Sequence, residues 1–335
     1  MEETSPKRED KLSLFFKNYG WVISIVCGII SILFLLGVVV TYKVKIGDDS
    51  FYYNVHLFDY LKHQNKYDWT MDMTLGFLLG GIICVSLRKV VKDIGTAGGL
   101  FFVLAITSLA LCREFYTENA IENLKSVSLG WGAVCSIAFA IAAGIFALSD
   151  NFSNNPITTR DIAEDGILIA SAFVLNLIKL PIATGGGSIN FQMLPLYLIA
   201  LRHGPAHGLI CGGIVYGLIT CFTDGWGFAT YPFDYLIGFG SVMVMGFFKN
   251  LVFPKDTKTY NFKGELFLFI SAVLATAVRF IGSTASSSIV YGLKIIPAMQ
   301  YNAIYIPISG AISLAVLMIA YGPLIKINNR YPVNK

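Results

Sequence analysis

Residues 231–248 read YPFDYLIGFGSVMVMGFF, an apolar run that suits a membrane-spanning helix except for one carboxylate, Asp234, near its start. A charged side chain near the bilayer centre costs roughly 2.5–3.5 kcal/mol on insertion scales, so an acid inside a span usually faces a cavity, a partner or a ligand. Proline at the first turn starts a helix, which sets Asp234 at the amino end, near the positive end of the helix dipole, where a carboxylate is stabilised. Trp226, Tyr231 and Tyr235 flank it with flat rings and hydrogen-bonding tips, equipment for holding a cationic or aromatic ring. The competing arrangement is a carboxylate paired with Arg279 or Lys179.

The rest of the chain is of the same kind. Of its 335 residues 55% are hydrophobic and only 14% charged, with a mean hydropathy of +0.64, which excludes an ordinary soluble domain and predicts an all-α polytopic membrane protein. The net charge of +4 is modest, and most basic residues cluster between apolar runs, where they set topology rather than bind nucleic acid. Six cysteines lie in or beside apolar runs with no CxxC pair; they read as small buried hydrophobes, without a metal or redox role. The first apolar run, 20–42, follows four basic residues as a signal peptide would, but it exceeds the roughly 7–15-residue core of such peptides and is expected to stay as a span.

Ten spans are expected, at about 20–42, 73–87, 94–112, 126–149, 162–180, 191–201, 205–222, 231–248, 266–282 and 297–325. The runs at 73–87 and 191–201 are short for a span. The polar stretch DNFSNNPITTR, residues 150–160, marks a boundary, dividing the chain into a four-helix region at 1–150, a linker at 151–161 and a six-helix region at 162–335. With the amino terminus in the cytoplasm, most of the 25 Lys and Arg residues fall on the cytoplasmic side, as the positive-inside rule requires, and both termini are cytoplasmic. The outer loop between the first two spans carries Phe51, Val55, Phe58 and Leu61 or Lys62 at helical spacing, which allows an interfacial amphipathic helix; a solvated loop with aromatics at headgroup level is the alternative. The first region carries no nameable chemistry, and the two regions show no internal repeat.

The second region holds several polar constellations. The TGGGS loop at 184–188 has three glycines but no GK[ST] after it, so it reads as a flexible loop over a cavity or a plain tight loop, not a phosphate cradle. Gly204, Gly208, Gly212, Gly213 and Gly217 give small-xxx-small pairs that let helices approach closely in lipid. A second small-residue face, Ala163, Gly166 and Ala170, is available either to internal packing or to a membrane partner. Small hydroxyl residues run from Ser283 to Ser288 after Arg279, with Tyr291 beyond them. Gln300, Tyr301 and Asn302 interrupt the last apolar run, and Asn302 there either bridges helices or meets a ligand. His203 and His207 have the i, i+4 spacing of a metal pair, but Gly204 and Pro205 between them favour a helix start at the inner surface. None of the enzyme signatures H-E-x-x-H, G-x-S-x-G or a phosphate loop appears, so no enzyme is expected.

As an ordered set, GGSINFQMLPLYLIALRHG, GLICGGIVYGL, YPFDYLIGFGSVMVMGFF, AVRFIG and QYNAIY resemble the thiamine-binding S component of energy-coupling factor (ECF) vitamin transporters, over about residues 159–326. The resemblance implies a six-helix S-component bundle in the plasma membrane that binds thiamine near its outer face and needs no cofactor. It would deliver the vitamin by toppling after docking on a coupling transmembrane subunit driven by two ATPase subunits. It implies ligand contacts at Asp234 and Tyr235, where the family more often has glutamate before the tyrosine, and at Asn302. Tyr291 falls where tryptophan is more usual, Ser283 where histidine is, Ser287 where glycine is, and Pro297 where tyrosine is. Ala163, Gly166 and Ala170 fall on the face used for the coupling subunit. Alternatives are an S component for another vitamin or a thiamine precursor, or a self-sufficient secondary transporter, which would want two related halves and coupling-ion ligands in broken helices.

Overall fold

The computed structural model describes residues 11–46, 48–57, 69–91, 93–118, 124–154, 157–182, 187–254 and 260–332. Two compact units are present, Met1–Pro156 and Ile157–Lys335. Among the described residues seven helices are long and apolar enough to cross a membrane, at Leu14–Phe34, Trp69–Lys89, Gly95–Thr117, Trp131–Ser149, Pro205–Asp224, Phe262–Ile289 and Ile295–Ile319. The framework is that of an all-α polytopic membrane protein, to which two small sheets are added.

In the first unit α1 (Lys11–Phe34), α2 (Trp69–Ser86), α3 (Gly95–Glu118) and α4 (Trp131–Asn154) pack around Met71, Leu78, Phe102, Leu109, Ala140 and Ala143. Lipid offers helices little hydrophobic reason to associate, so small residues and hydrogen bonds between helices carry more of the contact. Both occur where α1 meets α4: Ser24 Oγ donates to the Ala143 carbonyl at 2.7 Å and Ser31 Oγ to the Ser136 carbonyl at 2.9 Å.

As far as His56, the described part of the segment after α1 is a β-hairpin and not an amphipathic helix. Strands β1 (Val38–Ile46), β2 (Asp49–His56) and β3 (Leu124–Leu129) form an antiparallel sheet in the order β2-β1-β3. The sequence VVVTYKVKI of β1 is dense in β-branched residues, which suit a pleated surface better than a helix. Tyr42 and Tyr53 are cross-strand partners with rings stacked at 5.2 Å between centroids, the type of pair that stabilises a sheet. Phe51 and Val55 therefore sit on a strand, while Phe58, Leu61 and Lys62 lie outside the described residues. The sheet also takes the end of the expected 20–42 helix and the start of the 126–149 helix.

In the second unit the order is α5 (Thr159–Leu177), a β-ladder of β4 (Leu180–Pro181) and β5 (Ser188–Ile189), α6 (Met193–His203) and α7 (Pro205–Asp224). Then follow a broken helix α8 at 231–252, α9 (Phe262–Ile289), α10 (Ile295–Ile319) and a short polar helix α11 (Tyr321–Arg330). Three expected spans are absent from the long apolar set for separate reasons. Helix α5 carries Arg160, Asp161, Glu164 and Asp165 in its first two turns, α6 has only 11 residues, and α8 is interrupted between Gly240 and Met243. Thr158 starts α5 through a capping box with Asp161, which satisfies amide groups that a helix start leaves open.

Helices α7 and α8 each contain a π-helical stretch, Gly208–Tyr216 and Tyr231–Ile237. Such widened turns are uncommon and concentrate at functional sites. Glycine lets α8 approach its neighbours: a Cβ on Gly212 would lie 2.7 Å from the Phe239 carbonyl oxygen, and one on Gly282 of α9 would lie 2.6 Å from that of Phe233. The glycines of α7 thus serve helix packing.

Candidate functional site

Tyr231 and Pro232 open α8, and α9 packs closely against its π-helical start because Gly282 carries no side chain. This geometry holds Asp234 in the first turn, partly open to a cavity of about 640 Å³, inside the usual size range of small-molecule sites. The cavity lies at one end of the second unit. Its walls come from the carboxyl ends of α5, α7 and α9, the segment before α6, and the amino ends of α8 and α10.

Two carboxylates reach it, Asp234 and Asp224. Ser283 Oγ donates to Asp234 Oδ1, and Tyr235 Oη donates to Asp224 Oδ2 at 3.2 Å. The competing ion pair of Asp234 with Arg279 or Lys179 is not formed: among the described residues no Lys or Arg nitrogen lies within 4.0 Å of its carboxylate. Arg279 instead lays its guanidinium over the Phe239 ring, 5.1 Å from the centroid, and its buried Nη1 has no hydrogen-bond partner. Ring systems share the lining with the acids, Tyr235, Tyr291, Tyr301, Tyr305 and the half-exposed Trp226. Aromatic faces beside carboxylates attract a cation that itself has a flat ring.

The structure separates the expected site residues into three groups. Asp234, Tyr235, Tyr291, Ser287 and Trp226 line the cavity. Ser283 and Asn302 stand behind the wall. Ser283 holds Asp234, while Asn302, 1% exposed, donates to Ser287 Oγ at 3.0 Å and accepts from Tyr305 Oη at 2.8 Å. Asn302 therefore bridges helices and sets two wall residues. Tyr231 is turned away: its hydroxyl donates to the Gly213 carbonyl at 3.3 Å and its ring stacks on Phe228. Widening α8 into a π turn rotates Tyr231 and Tyr235 off the common face that a regular helix would give them. Of the TGGGS loop, Gly187 and Ser188 line the cavity, with the Gly187 amide donating to Tyr301 Oη at 3.1 Å, while Thr184, Gly185 and Gly186 lie outside the described residues. Ala163, Gly166 and Ala170 are exposed along one side of α5, and a Cβ on Gly166 would touch nothing within 4 Å.

Sequence reasoning missed Asp224, Asn190 and Gln192. Asp224 closes an apolar run and reads as an ordinary helix end; its signal was the nearness of a second acid to the WGFATYPFD segment. Asn190 and Gln192 belong to the SINFQ stretch after the glycines, where polar residues between two helices look like plain loop. Their side chains are buried. Gln192 accepts from Tyr216 Oη at 2.6 Å, and Asn190 Oδ1 has no partner among the described residues.

The chain matches the thiamine transporter protein family (Thia_YuaJ) over residues 162–330, so the match falls within the second unit. It is 27% identical over 175 residues to the thiamine transporter ThiT of Bacillus subtilis (strain 168), covering 48% of this chain and 89% of that protein. No solved structure matches it. On the strength of a match across half its length, the chain belongs to the thiamine transporter protein family.

Proposed function

We propose that this chain is the substrate-binding membrane subunit of an ECF-type transporter and that it holds thiamine in the cavity at the end of the second unit. The observation that carries the reading is Asp234: a carboxylate in the first turn of α8, open to a cavity, held by one hydroxyl and in no ion pair within 4.0 Å among the described residues. Thiamine supplies a permanently charged thiazolium for that carboxylate and a second flat, hydrogen-bonding ring for the tyrosines. The similarity to ThiT supports the same substrate.

In this reading Asp234, Tyr235, Ser287, Tyr291 and Trp226 contact the vitamin, Ser283 and Asn302 position them, and Asp224 with Tyr235 closes one side. The basic residues favour cytoplasmic termini in the plasma membrane, which puts the cavity at the outer face. The exposed small-residue side of α5, Ala163, Gly166 and Ala170, then meets the coupling transmembrane subunit, which two ATPase subunits drive. The chain binds and hands over its substrate without chemically changing it. Uptake of labelled thiamine by cells carrying this chain with and without a coupling module tests the assignment. Uptake only with the module is expected, and equal uptake without it would contradict the ECF reading.

A further inference from the structure

At the end of the second unit opposite the cavity, the first turns of α5 meet the junction between α6 and α7. Three buried side chains converge there, Asp165, His203 and His207, each offering one ligand atom within 4.8 Å of the others. The local backbone explains the convergence. His203 ends α6, Gly204 takes a φ of +103° that few other residues adopt, and Pro205 starts α7, so His207 turns back toward its i−4 neighbour across a helix break. The two imidazoles lie 5.0 Å apart between centroids.

Two further carboxylates adjoin His203, Glu164 with Oε2 3.6 Å from Nε2 and Asp161 with Oδ1 3.7 Å from Nδ1, and both have other partners as well. Arg202 holds Glu164 through two nitrogens, Asp161 Oδ2 accepts from the Thr158 amide in the capping box, and Lys249 Nζ donates to the His203 carbonyl. Asp165 Oδ2 is 2.6 Å from His207 Nδ1. Asp165 Oδ1 is buried without a hydrogen-bond partner among the described residues, and the fully enclosed His203 has its ring nitrogens 3.6–4.0 Å from carboxylate oxygens of Glu164, Asp161 and Asp165, beyond hydrogen-bond distance. Buried polar atoms are normally satisfied at closer range, and a metal ion between Asp165 and the two imidazoles would satisfy Asp165 Oδ1 together with one nitrogen of His203.

We propose that Asp165, His203 and His207 form a binding site for a divalent transition metal of the zinc type. Tetrahedral zinc with bonds near 2.0–2.1 Å keeps its nitrogen and oxygen ligands roughly 3.4 Å apart, so modest side-chain adjustment closes the present arrangement. Two imidazoles and one carboxylate disfavour magnesium and calcium, which want oxygen ligands. The bound ion would tie α5 to α6 and α7 on the side of α5 away from Ala163, Gly166 and Ala170.

The test is the metal content of the full-length, detergent-purified chain, followed by cobalt(II) titration of the chelator-stripped protein. About one zinc per chain is expected after gel filtration, with cobalt giving the intense visible bands of a tetrahedral site. His207→Gln and Asp165→Asn should each weaken cobalt binding by more than about 100-fold, beyond what loss of an outer-shell partner costs. Thiamine affinity of His207→Gln, measured alongside, should match wild type and shows that the variant is folded. Wild-type protein that carries no zinc and gives only the weak spectrum of hexaaquo cobalt would overturn the proposal, whatever the variants do, and so would cobalt binding unchanged in both ligand variants.

Discussion

Ser283 on α9 donates its hydroxyl hydrogen to Asp234 Oδ1 on α8, so the acid facing the cavity is oriented from a neighbouring helix. A single hydrogen bond to a charged group contributes about 1.5–3 kcal/mol. Removing it should free the carboxylate to rotate without removing its charge. Ser283→Ala is therefore expected to weaken thiamine binding by roughly 10- to 100-fold in calorimetric titration, mainly through faster release. A loss no larger than twofold would show that Asp234 needs no orienting donor.

Asn302 has both ends of its amide engaged, toward Ser287, the Ala298 carbonyl and Tyr305. Asn302→Ala should leave the Tyr305 hydroxyl without its acceptor and Ser287 with only the Ser283 carbonyl as partner, and cost about 1–3 kcal/mol in stability, seen as a lower unfolding midpoint in detergent, together with weaker thiamine binding. A ligand-contacting asparagine with no bridging role would show the second effect alone.

Gly282 has no room for a side chain, because a Cβ would sit 2.6 Å from the Phe233 carbonyl oxygen. Gly282→Val should push α9 away from the π-helical start of α8 at a cost of about 1–3 kcal/mol. Thermal unfolding and thiamine titration on the same sample should both decline, since the contact that packs the helices also places Asp234.

Gly166 gives the opposite expectation. Its open surroundings mean that Gly166→Leu should leave thiamine affinity unchanged and add about 0.5–1 kcal/mol of helix stability. Uptake driven by the coupling module should fall sharply, because a bulky side chain interrupts the small-residue face. Undiminished uptake would remove α5 as the docking surface.

Much of this arrangement is legible in the residues themselves. Helices at 94–112 and 266–282 announce themselves by length and apolar content, and Asp234 stands out because charge in lipid is costly. The sheet was hidden because Phe51 and Val55 fit a helical period as well as a strand once β1 is unknown, and pairing with β3 joins segments more than 80 residues apart. Tyr231 was misplaced for a subtler reason. A regular helix puts residues four apart on one face, whereas the π turn of α8, held by contacts with α7 and α9, does not. Asp224 and Asn190 become site residues only through the tertiary meeting of helix ends. The His203 and His207 spacing, in contrast, was visible, and what it lacked was Asp165 from another helix.

The central claim is that Asp234 neutralises a bound cation. Isothermal titration of thiamine into purified wild-type and Asp234→Asn protein measures it most directly, since asparagine keeps the size and the Ser283 hydroxyl as neighbour while removing the charge. Loss of a desolvated charge partner costs about 2–5 kcal/mol, so affinity should fall by about 30-fold or more in the variant. Equal affinity in the two proteins would contradict the account.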